Sequence, residues 1–207
     1  MVTTISIQVS SLLGYNSKKM RRFTKDGGTP MFGSLDTVPE LLKNHQYKTG
    51  EKHKFLGDYY RLMIEESPTT GVIIDNYNMV LNVHDTQSLT HKEFVLDMWY
   101  REQAREVFVE AMAAAIVMAA PYKVRFPDLK IYRLDNRWGA CSPKSQRVIL
   151  NLELIKTPKE CIEYIALHEM LHFRFPNHNL SFYGALGTLM SDWKEREDML
   201  NRKYRLT

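Results

Sequence analysis

Along the 207-residue chain the spacing of apolar positions changes several times, and each change marks a different element. Within residues 2–9, Ile5, Ile7 and Val9 alternate as a strand would. Residues 25–34 hold Gly27, Gly28, Pro30 and Gly33 and read as a loop. Between residues 55 and 83 the two-residue period returns. Tyr60, Leu62 and Ile64 alternate, and the apolar runs Val72-Ile73-Ile74 and Met79-Val80-Leu81 flank the turn residues Asp75-Asn76-Tyr77-Asn78. An antiparallel meander of short strands is expected there. A long helix follows: Thr90-His91-Lys92-Glu93 has the form of a capping box, and no Gly or Pro interrupts the chain before Pro121. Met112, Ile116, Val117 and Met118 are expected in its core-facing part. Residues 129–134 and 147–155 are strand-like and joined across Gly139 and the turn-prone Ser142-Pro143-Lys144-Ser145, a second β unit.

Thr157-Pro158-Lys159-Glu160 repeats the capping box, with Pro where its missing N–H costs nothing. The helix it opens should end before Phe175-Pro176, because a residue preceding Pro avoids helical geometry. Two more helical stretches, 180–190 and 192–204, close the chain, and the alternating charges of 194–205 read as a solvated face. The order β, long α, β hairpin, α indicates an α+β fold and excludes a parallel, doubly wound sheet. No internal repeat or low-complexity tract is present.

Composition narrows the class without selecting a function. Apolar residues make up 44% and charged residues 25%, enough for a packed core and unlike a disordered chain. Lys+Arg 28 against Asp+Glu 24 gives +4, which permits contact with nucleotides or nucleic acid without demanding it. The basic residues Lys18, Lys19, Arg21, Arg22 and Lys25 read as a solvated face. They follow the N-terminal apolar stretch instead of preceding it, so a secretory leader is not expected. Cys141 and Cys161 cannot build a disulfide framework, which favours a reducing, cytoplasmic setting. The longest apolar run, 111–120, is half the ~20 residues that a bilayer requires, so no membrane partner is expected.

The chemistry is concentrated in His168-Glu169-Met170-Leu171-His172, with Asn177-His178 behind it. On a helix, residues four apart share a face, so His168 and His172 project two imidazoles together, as two ligands of one zinc ion require. Glu169 lies about 100° round the helix, within reach of a zinc-held water but outside the ligand set. His178 follows Pro176, where the chain can turn back and offer a third imidazole. Three protein ligands with one open position suit a catalytic zinc. The competing reading makes these histidines ordinary members of an apolar stripe with Cys161 and Ile165. Burying two imidazoles and a carboxylate without partners is costly, and a metal removes that cost. Glu195 is a candidate to complete the ligand set should His178 not serve.

These motifs, with Tyr59-Tyr60-Arg61-Leu62, Trp99-Tyr100-Arg101, Arg137-Trp138-Gly139-Ala140-Cys141-Ser142, Leu150-Asn151 and Asp192-Trp193, resemble those of the YgjP-like metal-dependent hydrolases, relatives of the SprT-like zinc metallopeptidases. The resemblance spans about residues 50–204 and divides the chain into a poorly defined N-terminal segment, 1–50, expected as part of the N-terminal sheet region, and a YgjP-like metallopeptidase domain, 51–207. Ala140, Tyr183 and Ser191 depart from the family pattern, where Ser, Trp and Pro are usual. The resemblance implies a zincin-like α+β fold, Zn2+ as cofactor, His168, His172 and His178 as its ligands and Glu169 as the catalytic residue. The expected reaction is peptide-bond hydrolysis of a polypeptide substrate, with Glu169 accepting the proton of a zinc-activated water.

Two other readings keep parts of this site. Some YgjP-like proteins are described as nucleoside-triphosphate pyrophosphatases of UTP type, for which Arg137, Lys144 and Arg147 could neutralise phosphate, though no Gly-rich phosphate loop is present. The SprT-like kinship and the positive charge would also suit a nucleic-acid-associated protein. Trp138 and Cys141 are read as packing residues and Asn151 as a hydrogen-bonded structural residue. Arg137 is left between structure and the rim of the site.

Overall fold

In the computed structural model, which describes residues 45–204 and 206, the first sheet is built around its most apolar strand. β4 (Asn78–Val83) buries Met79, Leu81 and Val83 completely, so it takes a central place. It lies between β2 (Asp58–Glu66) and β3 (Gly71–Asp75), and β1 (Lys52–Phe55) flanks β2 on the other side. β3 and β4 form the expected antiparallel hairpin, turning at Asn76 with φ 52°. β4 runs parallel to β2, however, with Leu62 opposite Met79 and Ile64 opposite Leu81. The sheet is mixed, which corrects the antiparallel meander. Alternation along a strand says which side chains face the core; it does not say which strand lies alongside.

The long helix α1 (Leu89–Met118) is present, but its start is capped by Ser88, whose hydroxyl accepts from the His91 N–H at 3.3 Å. The Thr90 box does not cap it. Residues Leu96, Tyr100, Ala104, Phe108, Met112 and Ala115 recur every three or four positions and are buried. Ile116 and Met118 pack at the edge of this core, whereas Val117 is 73% exposed, against expectation. A 3-10 turn, Ala120–Tyr122, holds Pro121 just past the helix end.

The second β unit has three strands where the pattern showed two. β5 (Asp128–Tyr132) pairs parallel with β7 (Arg147–Asn151), and β6 (Gly139–Ser142) pairs antiparallel with β7 as the true hairpin. β7 stops at Asn151 because the Asn151 side chain accepts from the Glu153 N–H and opens a 3-10 helix, Leu152–Lys156. Strand character therefore does not extend to residue 155. β6 is one of the two edge strands of its sheet.

Helix α2 (Lys159–Leu171) buries most of its residues, with Lys159, Glu160 and Glu163 exposed, and packs on α1. Its start also departs from expectation: the Thr157 hydroxyl donates to the Leu154 carbonyl at 2.8 Å, so no capping box forms. α3 (Leu180–Leu189) and α4 (Trp193–Lys203) follow as expected. α4 is not merely a solvated face, since Leu200 is buried and Arg196 bridges Asp192 and Glu163 while donating to the Glu160 carbonyl. Residues 44–207 form one compact unit with two small sheets and four helices, an α+β fold. No helix among the described residues is long and apolar enough to cross a membrane. The strand at 2–9, the loop at 25–34 and the basic residues at 18–25 lie outside the described residues.

Candidate metal centre

The last two turns of α2 and the bend behind them carry the cluster. His168 lies on the helix, His172 at its C-terminal cap, and the chain then bends through Phe175-Pro176 to His178. The Nε2 atom of His168 lies 3.2 Å from that of His172 and 2.8 Å from that of His178. All three predicted ligands thus point into one volume, their ring nitrogens within 4.8 Å of one another. Phe182, fully buried on α3, packs against all three rings, with centroids 4.9, 4.9 and 4.8 Å from His168, His172 and His178. It forms an apolar floor that limits how the imidazoles can turn.

Protonation at this cluster suits metal ligation. His172 Nδ1 lies 3.0 Å from the Phe175 carbonyl, which can only accept. The proton is therefore on Nδ1 and Nε2 presents its lone pair to the cluster. Burial, reinforced by the His172 and His178 charges, holds the His168 imidazole down to about 3. Burial likewise lowers His172. Converging neutral imidazole nitrogens repel one another through their lone pairs, and a shared cation reverses that repulsion. The three donors fit a divalent metal of the zinc class. His168 Nδ1 is buried with no partner among the described residues, so it lacks the outer hydrogen bond that His172 has.

Glu169 is 6% exposed and belongs to the same cleft, of about 610 Å³, as the histidines. Burial pushes its carboxyl up to about 8, against the opposing pull of the Arg137 charge. Its position depends on a residue thirty positions earlier in the chain. A Cβ built on Gly139 would lie 2.7 Å from Glu169 Oε1 and 2.8 Å from its Cγ. Only glycine leaves room for the carboxylate against the first residue of β6, so Gly139 serves close approach, not merely a bend.

The hairpin motif is divided by role. Arg137 and Trp138 line the cleft, and Trp138 also packs on the core. Asn151 donates to the Leu134 and Arg137 carbonyls at 2.8 and 2.9 Å, tying that loop to β7 as a structural residue. Burial and the Glu169 charge push the Cys141 thiol up to about 12, far from a nucleophile's range. Of the three basic residues considered for phosphate, only Arg137 lines the cleft; Arg147 pairs with Asp128 at 3.1 Å. The acidic residue that α4 brings to the cleft is Glu197, which accepts from the Tyr164 hydroxyl at 3.0 Å; Glu195 is exposed and does not line it. Tyr164 stands one turn before His168, a spacing that could have revealed it. Phe182, Gly139 and Glu197 reach the site through tertiary contacts that no local spacing shows.

The family described as "YgjP-like, metallopeptidase domain" matches the chain over residues 2–203, further toward the N-terminus than the motifs that begin at Tyr59. No curated protein matches the sequence. Solved structures that are similar include two metallopeptidase zymogens. One is the metallopeptidase zymogen jannalysin of Methanocaldococcus jannaschii, at 19% identity and TM-score 0.42 over 47% of this chain and 90% of that one. The other is the metallopeptidase zymogen abylysin of Pyrococcus abyssi, at 20% identity and TM-score 0.42 over 48% and 99%.

Proposed function

Because the chain belongs to the YgjP-like metallopeptidase family, we propose that it hydrolyses peptide bonds in polypeptides, with one zinc ion held by His168, His172 and His178 and with Glu169 as general base. The observation that carries this reading is the convergence of three Nε2 atoms in a cleft that also holds a buried carboxylate. Bound there, a zinc ion supplies Lewis acidity, polarising a carbonyl and lowering the pKa of a water toward neutrality. Glu169 takes the proton of the attacking water and passes it to the departing amine. Gly139 sets where that carboxylate stands, and the Phe175 carbonyl keeps His172 in its ligating tautomer. An extended polypeptide suits the cleft because β6, whose residues Gly139 to Cys141 line it, is an edge strand with backbone groups open to pairing. We assign this activity to residues 51–207 and place the protein in the cytoplasm, where Cys141 and Cys161 stay reduced, consistent with both being free thiols.

The test compares wild type with Glu169→Gln on unfolded polypeptide, short peptides and nucleoside triphosphates. Gln nearly preserves shape but cannot accept a proton, so polypeptide cleavage should fall by at least ~10²-fold. Triphosphate hydrolysis lost in the variant, with polypeptides untouched by wild type, would overturn the peptidase reading.

A further inference from the structure

A second group of ligand-type side chains lies outside the cleft. His45, Glu51 and His53 bring two imidazole nitrogens and a carboxylate oxygen within 4.8 Å of one another. Glu51 Oε1 is contacted by His45 Nδ1 and lies 3.4 Å from His53 Nε2. The other oxygen of Glu51 accepts from the Lys48 N–H at 3.2 Å, which fixes how the carboxylate points. His53 is 4% exposed, turned inward by the alternation of β1, and its Nε2 is buried with no hydrogen-bond partner among the described residues. The His45 ring stacks on it with centroids 4.6 Å apart.

We propose that His45, Glu51 and His53 form a second divalent metal site of the zinc class, distinct from the HExxH cluster and independent of the reading given for it. A buried ring nitrogen without a partner needs an explanation, and an ion is one of the few that satisfies it. His53 Nε2 faces the Glu51 carboxylate oxygen at 3.4 Å without forming a hydrogen bond, and a cation between them would engage both. Two imidazoles and one carboxylate are an established zinc ligand set, and the imidazoles disfavour Mg2+ and Ca2+. His45 is partly exposed, which gives an ion a way in. The ligands come from β1 and the few residues before it, so the ion would staple the entering chain to the first strand. None of the three lines the cleft.

The full-length protein, stripped of metal and dialysed against zinc, decides the matter by metal analysis. Wild type should hold about two ions per chain, and His45→Ala and the near-isosteric Glu51→Gln about one each. The double variant His168→Ala/His172→Ala should also keep about one, and zinc should still raise its Tm. Circular dichroism confirms that each variant is folded, and His45, being partly exposed, is the substitution least able to disturb packing. Wild type with one ion and the double variant with none would overturn the proposal. So would two ions retained in folded His45→Ala and Glu51→Gln, which would place the second ion elsewhere.

Discussion

His168, His172 and His178 are gathered from a helix and the bend behind it, whereas His45, Glu51 and His53 are gathered from a strand and the turn before it. In the first group the carboxylate, Glu169, stands beside the three imidazoles in a cleft of about 610 Å³. In the second the carboxylate is itself one of the three donors, and the group lies outside that cleft. The ligand atoms are of similar type and spacing in both. In the roles proposed for the two groups, the position of the carboxylate separates the reactive site from the structural one. A carboxylate held outside the ligand set can still accept a proton; one used to bind the ion has spent that capacity.

The largest effect that would sharpen this contrast is loss of the first ion. His168→Ala should abolish both peptidase activity and one equivalent of bound zinc, measured by metal analysis beside a turnover assay; activity that survives would break the assignment. His178→Ala should weaken zinc strongly with the fold intact, since the residue lies in an exposed bend. Unchanged zinc affinity in that variant would mean another group completes the shell, Glu197 being an acidic side chain already in the cleft besides Glu169. A smaller effect is expected from Gly139→Ala. The added methyl displaces the Glu169 carboxylate, and a shift of that kind costs up to about 10²-fold in kcat while zinc content stays unchanged. Equal kcat would show that Glu169 need not stand against β6. Asn151→Ala acts on stability, not turnover: it strips its partner from the Leu134 and Arg137 carbonyls and from the Glu153 N–H. A loss of about 1–3 kcal/mol in stability is expected by denaturant unfolding, with the zinc content retained.

The first cluster was legible because its residues are local in the chain. A helical repeat brings residues 168 and 172 together wherever the helix lies, and Pro176 announces the bend that returns His178. The parts that were not legible depend on contacts between distant segments. The parallel pairing of β2 with β4 and the third strand of the second sheet follow from which apolar faces find each other in space, and alternation is silent on that. Thr90 and Thr157 carry the right residues for caps, yet Ser88 takes the His91 N–H, and the Thr157 hydroxyl donates back to the Leu154 carbonyl instead of accepting at the helix start. The Gly139 contact with Glu169 joins positions thirty apart. The second cluster had a weak local signal: Glu51 and His53 are two apart, which puts them on one side of an extended chain, but no strand was expected between residues 10 and 54.

The contrast between the two clusters is tested most directly by measuring zinc content and polypeptide turnover on the same samples of Glu169→Gln and His45→Ala. Glu169→Gln should keep the full wild-type zinc content and lose at least ~10²-fold in turnover, because it removes a proton acceptor and no ligand. His45→Ala should lose one equivalent of zinc and turn over at the wild-type rate. Glu169→Gln at wild-type turnover, or an accompanying loss of zinc, would contradict the claim that this carboxylate is the base standing outside the metal.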